Sequence, residues 1–186
     1  VDDGRGSRIL DAVLALLAEN GISGVSIRAV ATRADVAQGL VNYYYGDKVG
    51  LIRAALERIE AQDLALVTAD PELPPEERLV AALRRIAAPE FLTPAYLSLR
   101  LQLWALASAH PDYAEINTRA QSHYRAELSA LIRAARPGIP ITEANRRAAD
   151  VDVTQNGLWL TALLGLDTPS IQRTVTRCEE IALAGA

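Results

Sequence analysis

Ser26-Ile-Arg-Ala-Val-Ala-Thr-Arg-Ala-Asp-Val-Ala-Gln-Gly-Leu-Val-Asn-Tyr-Tyr-Tyr-Gly-Asp-Lys48 is the stretch from which the rest of the chain can be read. Ser26 is a helix-capping residue, and Ile27, Val30 and Ala31 follow at the spacing of one helical face. This predicts a short helix to about Ala34. Asp35-Val36 predicts a tight turn, and a second short helix runs from about Ala37 to Tyr45, pinned inward by Val36, Leu40 and Val41. Two short helices joined by a tight turn form the helix-turn-helix layout. Ala31 is small, as a close helix crossing requires. Gln38, Gly39, Asn42, Tyr43 and Tyr44 point outward instead. Amides pair with adenine edges, phenols donate to phosphates, and a glycine lets the backbone come close to a duplex. Arg28 is placed to reach a guanine, Arg33 reads as a solvated charge, and Tyr45 is expected in the core. Gly46-Asp47 ends the second helix. Asp47 then caps a long helix from Lys48 to about Thr68, whose first N–H groups and ammonium suit a phosphate. Lys48 is the only lysine in the chain.

The pattern stays helical on both sides of this stretch. Towards the N-terminus, Ser7 is read as the cap of a first helix whose apolar residues Ile9, Leu10, Val13, Leu14, Leu16 and Leu17 share a face. Asn20-Gly21 stops it. Towards the C-terminus, helices are expected from about Pro75 to Ala88 and from Thr93-Pro94 to about Ala109. Another follows to about Ala135, then one from Thr142 to near Leu166. The last opens at Thr168-Pro169 with Ile171, Val175, Cys178 and Ile181 on one stripe. The fold class is therefore all-α: an N-terminal three-helix bundle with the helix-turn-helix, residues 1 to about 46, and a larger helical body from 47 to 186.

Bulk composition excludes several alternatives. The 186 residues are 50% hydrophobic, enough for a buried core. No apolar run approaches a membrane span, and no secretion signal opens the sequence, so no membrane partner is expected. Cys178 is the single cysteine; it permits no internal disulfide or cysteine-based metal site and suits a reducing cytoplasm. His110 and His123 have no ligand partner at metal spacing, and His123 with Glu127 one turn on is only a pair. There is no phosphate-cradling glycine loop and no nucleophile elbow. No catalytic residue, cofactor or metal is expected. The net charge of −4 argues mildly against binding nucleic acid through bulk charge. A helical protein-interaction module with a head that no longer binds DNA is therefore the alternative reading.

The stretch resembles the DNA-binding head of TetR-family regulators. Gly39, Tyr44-Tyr45-Gly46-Asp47 and Lys48 stand where that family has its glycine, aromatic pair and terminal lysine. The run Val36-Ala-Gln-Gly-Leu-Val-Asn-Tyr-Tyr-Tyr-Gly-Asp-Lys-Val-Gly-Leu51 is most similar to the BetI-like branch. Leu99–Ile116, with Trp104 and His110-Pro-Asp-Tyr113, and Asn156-Gly-Leu-Trp159 look BetI-like as well. The resemblance implies DNA contacts at Ser26, Arg28, Gln38, Gly39, Asn42, Tyr43, Tyr44 and Lys48. It also implies a homodimer through the last two long helices, and a small-molecule effector pocket in each body. The residues from Leu158 to Leu166 are apolar on all faces, which suits a helix with both a core and a partner to meet. Candidate pocket residues are Phe91, Tyr96, Trp104, Tyr124, Gln155, Asn156 and Trp159, with carboxylates such as Asp152 favouring a cationic ligand. A palindromic operator with half-sites about 34 Å apart would match the two-fold dimer. Two positions depart from the family: Asp35 stands where the turn has glycine, and Ala37 where the second helix starts with Ser or Thr.

Overall fold

The structure, a computed structural model, describes residues 4–68, 70–165 and 167–184. The described residues form α-helices joined by turns and short 3-10 segments, with no strand among them. The helices are α1 (Arg5–Asn20), α2 (Ile27–Ala34), α3 (Gln38–Tyr45), α4 (Lys48–Val67) and α5 (Pro75–Arg85), then α6 (Pro94–Ala109), α7 (Pro111–Ala135), α8 (Ile141–Leu163) and α9 (Thr168–Leu183). The all-α expectation is met. Most boundaries fall within a residue or two of those read from caps and prolines.

Four boundaries differ, each for a local reason. α1 starts before Ser7, with Gly4 at its N-cap; the Ser7 hydroxyl instead accepts from Arg58 Nη2 at 3.2 Å. α5 stops at Arg85, since the Ala87 and Ala88 N–H groups close tight turns onto the Arg84 and Arg85 carbonyls rather than continue the helix. α8 opens at Ile141 behind Pro140, whose fixed φ suits a helix entry. The cap of α9 is Asp167, whose carboxylate accepts from the Ser170 N–H at 2.7 Å, so that Thr168 is already helical. The expected end of α8 near Leu166 lies outside the described residues, and the helix is helical as far as Leu163.

Contacts divide the chain into two compact units, one of Val1–Glu60 with Ser98–Asn117 and one of Ala61–Leu97 with Thr118–Ala186. In the first, Ile9, Val13 and Leu17 of α1 are buried, as are Val30 of α2, Val41 of α3 and Leu51 of α4. Leu103 and Tyr113, from α6 and α7, are buried in the same unit. In the second, Leu79 and Leu83 of α5 pack with Leu128 and Ile132 of α7, Trp159 of α8 and Cys178 of α9. The functional division expected after residue 46 separates DNA binding from effector binding, and it returns as a proposal below.

The end of α9 is held by two guanidiniums. Arg136 donates from Nε and Nη2 to the Leu183 carbonyl at 3.2 and 3.0 Å. Arg147 donates from Nη1 to the Ala184 carbonyl at 2.7 Å. These satisfy carbonyls that a helix C-terminus leaves without partners. Arg147 Nε also donates to Glu143 at 2.7 Å, and Arg146 Nη2 reaches the same carboxylate at 2.8 Å. Hydrogen bonds from Arg146 and Arg147 hold the Glu143 carboxyl down, from an ordinary 4.5 to about 2. A depressed carboxyl stabilises the fold fully above its unfolded value, and this is lost as pH falls through the folded value. Wild type and Glu143→Gln are therefore expected to differ in thermal midpoint above about pH 4.5 and to converge as pH approaches 2. Midpoints that stay equally separated down to pH 2 would contradict this.

Candidate nucleic-acid interface and body cluster

α2 begins as its sequence requires: the Ser26 hydroxyl accepts from the Ala29 N–H at 3.1 Å. It ends at Asp35, the one described non-glycine residue with positive φ (53°). Asp adopts this left-handed turn at less cost than most residues. The Val36 N–H then closes onto the Ala31 carbonyl at 3.0 Å, so the tight turn forms without glycine. Ala37 caps α3 with no side-chain hydrogen bond. The first N–H groups of α3 are thus left without a side-chain partner.

α3 turns only Val41 fully inward. Gln38, Gly39, Asn42, Tyr43 and Tyr44 are all exposed, Tyr43 at 81%. Tyr43 and Tyr44 meet edge to face, with centroids 5.5 Å apart. Tyr45 is turned the other way, half-buried, and its hydroxyl donates to the Gly6 carbonyl at 2.8 Å. A side chain at Gly39 would meet nothing within 4 Å. Nothing in the chain itself therefore requires glycine there, although glycine inside a helix costs about 1 kcal/mol against alanine.

The next corner is built differently. Gly46 has φ 74°, and the Asp47 carboxylate caps α4 by accepting from the Gly50 N–H at 2.9 Å. A Cβ on Gly50 would lie 1.9 Å from the Tyr45 carbonyl oxygen. Lys48 is exposed, and its ammonium donates to the Ile22 carbonyl at 2.7 Å, bracing the α1–α2 connection. Ser26 and Arg28 are exposed as well. Arg33 pairs with Glu19 through both guanidinium nitrogens, across α2 and α1. It is a surface ion pair, as its solvated reading implied.

In the second unit several of the proposed pocket residues come together. The rings of Phe91 and Tyr96 are 5.3 Å apart and those of Tyr96 and Trp159 are 6.3 Å apart, both edge to face. Trp159 is buried and its indole N–H donates to the Ile86 carbonyl at 2.9 Å. The buried Tyr124 hydroxyl donates to the Gln155 amide oxygen. Burial first, then the charges of Asp152 and Asp63, push the Tyr124 phenol well above its usual range, so it stays a protonated donor. Asp152 accepts from Arg125 Nε at 2.6 Å and from the Asn156 amide at 3.1 Å. Its charge is therefore matched within the protein. The carboxylate beside the ring cluster is Asp63, 3.4 Å from the Tyr96 hydroxyl, which sequence reasoning did not single out. The only sequence signal for it is an acid directly before the apolar run Leu64-Ala-Leu-Val67, which the sequence reading did not use. Trp104 belongs to the first unit, where the Arg100 guanidinium lies 5.1 Å from its ring centroid.

Residues 9–55 match the family of bacterial regulatory proteins called tetR, and residues 75–184 match the C-terminal part of BetI-type transcriptional repressors. The chain belongs to the TetR family, in its BetI-type branch. Among curated relatives, the BetI transcriptional regulator of Paraburkholderia phymatum is 30% identical over 171 residues, 88% of this chain and 83% of that protein. The one from Burkholderia thailandensis is 29% identical over 168 residues, 86% of this chain and 82% of that protein. Among solved structures, a transcriptional regulator of Pseudomonas aeruginosa superposes with a TM-score of 0.83 at 26% identity, covering 97% of this chain and 89% of its own. One from Saccharomonospora viridis, solved in complex with choline, has a TM-score of 0.75 at 20% identity, with 100% and 98% covered. This TetR-family chain is a transcriptional regulator, not an enzyme. Among its described residues no helix is long and apolar enough to cross a membrane.

Proposed function

We propose that this regulator is a ligand-responsive repressor that acts in the cytoplasm and binds a palindromic operator as a homodimer. The observation that carries the reading is the exposed row on α3, with Gly39 facing open space. Gln38 and Asn42 read base edges, Tyr43 and Tyr44 donate to phosphates, and Gly39 lets the helix backbone sit against the duplex. Ser26, Arg28 and Lys48 add phosphate or base contacts, and the N–H groups at the start of α3, which no side chain caps, take the role of the missing Ser or Thr at Ala37. In this reading residues 1–46 bind DNA and residues 47–186 bind effector and form the dimer.

The dimer reading rests on α8. One face packs inward through Val151, Leu158 and Trp159. The opposite face exposes Val153 (65%), Leu160 and Leu164 (78%), with the bare Gly157 between them. An apolar stripe centred on a glycine suits the close approach of a second copy, and a two-fold pair presents two heads to half-sites about 34 Å apart. The effector reading rests on the cluster of Phe91, Tyr96, Tyr124 and Trp159, with Gln155 and Asn156 beside it on α8. Aromatic faces suit a cation, and a choline-bound neighbour of the same fold is in keeping with this. Trp104, by contrast, has an arginine over its ring. Effector binding lowers operator affinity by the difference in its affinity for the two states of the dimer.

The test is a salt-controlled titration of operator fragments. Tyr43→Ala is expected to weaken binding roughly tenfold, the scale of one hydrogen bond to a charged group. Gly39→Ala should raise helix stability by up to about 1 kcal/mol while weakening binding. Opposite signs for stability and affinity are the signature of a glycine kept for DNA. Lys48→Ala should flatten the salt slope by about one counterion, but it also removes the brace to Ile22, so its thermal midpoint must be read alongside. No fragment bound above background at any salt would sink the proposal.

A further inference from the structure

The turn between α2 and α3 carries a carboxylate that the turn itself does not need. Asp35 closes α2 with φ 53°, a conformation that glycine and asparagine also adopt. The geometry therefore accounts for a small residue at this position but not for its charge. Nothing in the described chain neutralises that charge: the Asp35 side chain is exposed and makes no ion pair or hydrogen bond with the described residues. Asp11, Glu19 and Asp47, the other carboxylates between residues 4 and 48, are each matched, by Arg58, by Arg33 and by the Gly50 N–H. Arg33 stands only two residues before Asp35, but Glu19 takes both of its terminal guanidinium nitrogens.

Two observations put this charge beside the groups assigned to DNA. Arg28, Thr32 and Asp35 follow one another at four and three residues, the spacing of one helical face, and all three are exposed. The second observation is a shallow concave surface at the α2–α3 corner, lined by Ala31, Thr32, Asp35, Val36, Ala37 and Gln38. The carboxylate thus shares one surface with Gln38 and with the start of α3, whose first N–H groups no side chain caps. A phosphate drawn to those N–H groups meets the Asp35 charge. We propose that Asp35 holds down the affinity of the head for DNA: its carboxylate faces the duplex backbone and repels the phosphate seated at the start of α3. This rests on the DNA reading of α2 and α3 given above. The repulsion takes no account of base sequence, so it weakens binding to operator and to other DNA alike, and a dimer meets it twice. An operator complex held down in this way is emptied by a smaller difference in effector affinity between the two states.

The experiment is a binding titration of wild type, Asp35→Asn and Asp35→Gly at low and at moderate salt. The probes are the genomic fragment that wild type selects and a short duplex of mixed sequence. Both substitutions suit the left-handed turn, so thermal midpoints should stay near that of wild type. Each variant is expected to bind both DNAs more tightly. The gain should be about two- to threefold per head, and about five- to tenfold for a two-headed dimer, the scale of two unit charges roughly 8 Å apart in water. It should shrink as salt rises, because screening weakens the repulsion. Glu77→Gln removes the same charge from an exposed position of α5 in the second unit, and should stay within about twofold of wild type. Unchanged or weaker binding by both Asp35 variants overturns the proposal. Equal tightening in Glu77→Gln overturns it too, by making the gain an effect of net charge. So does a gain that depends on one base of the site, which would move the carboxylate to a base edge. If neither wild type nor the variants bind any duplex at low salt, the DNA reading fails and the inference with it. Wild-type binding that both Asp35 variants merely match removes the inference alone.

Discussion

Gly50→Ala is expected to destabilise the head by roughly 3 kcal/mol or more and to abolish specific DNA binding, although residue 50 need never touch DNA. The methyl group would arrive 1.9 Å from the Tyr45 carbonyl oxygen, a backbone atom that cannot rotate aside. Relief requires α3 to move away from α4. That movement strains the Tyr45 hydrogen bond to Gly6 and the Asp47 cap on the Gly50 N–H. It also shifts the whole row from Gln38 to Tyr44. Hydrogen exchange should show loss of protection concentrated in α3 and at the start of α4, with the helices of the second unit little changed. A Gly50→Ala protein with wild-type melting and wild-type operator affinity would mean that the corner relaxes at no cost.

Trp159→Ala is expected to be as damaging in the second unit, costing roughly 3–5 kcal/mol. Trp159 is among the largest fully buried side chains, and its removal leaves both a cavity and the Ile86 carbonyl without its donor. Trp159→Phe separates the two effects. It keeps most of the packing but leaves the carbonyl unsatisfied, for about 1–3 kcal/mol. If the cluster holds the effector, Trp159→Phe should also weaken binding of a quaternary ammonium probe by several-fold, because phenyl is the poorer cation-binding face. Denaturant melts of both variants with choline titration of the phenylalanine variant would check this. Equal stability of the two variants would show that the ring contributes little beyond its N–H.

The contrast between Gly39 and Gly50 marks where sequence reading stops. The head was legible because its signals are local: Ser26 caps three residues ahead, Asp35 turns in place, and Asp47 caps Gly50. Gly39 and Gly50 look alike in the sequence, yet one faces open space and the other a carbonyl oxygen. Only the packed corner distinguishes them. Lys48 was legible as a cation at a helix start, but its bond to the Ile22 carbonyl is to a backbone group that no residue type announces. In the body, Trp159 finds its acceptor on Ile86 in another helical region, and Asp63 reaches Tyr96 from α4. Aromatic composition pointed to a cluster there without indicating which carboxylate would join it. Asp152 was named as an example of such a carboxylate, and in the structure Arg125 pairs with it.

The first compact unit draws on two stretches of chain, Val1–Glu60 and Ser98–Asn117. During synthesis the ribosome delivers them far apart in time. α1 to α3 can form their local hydrogen bonds early, but Leu103 and Tyr113 are buried in a unit whose other part was made long before. A nascent chain halted after residue 60 therefore carries apolar surface that its own later residues are meant to cover, and such surface invites aggregation or chaperone capture. An excised fragment of the head inherits the same exposure. Grafting this head onto another regulator would thus need the 98–117 segment to travel with it.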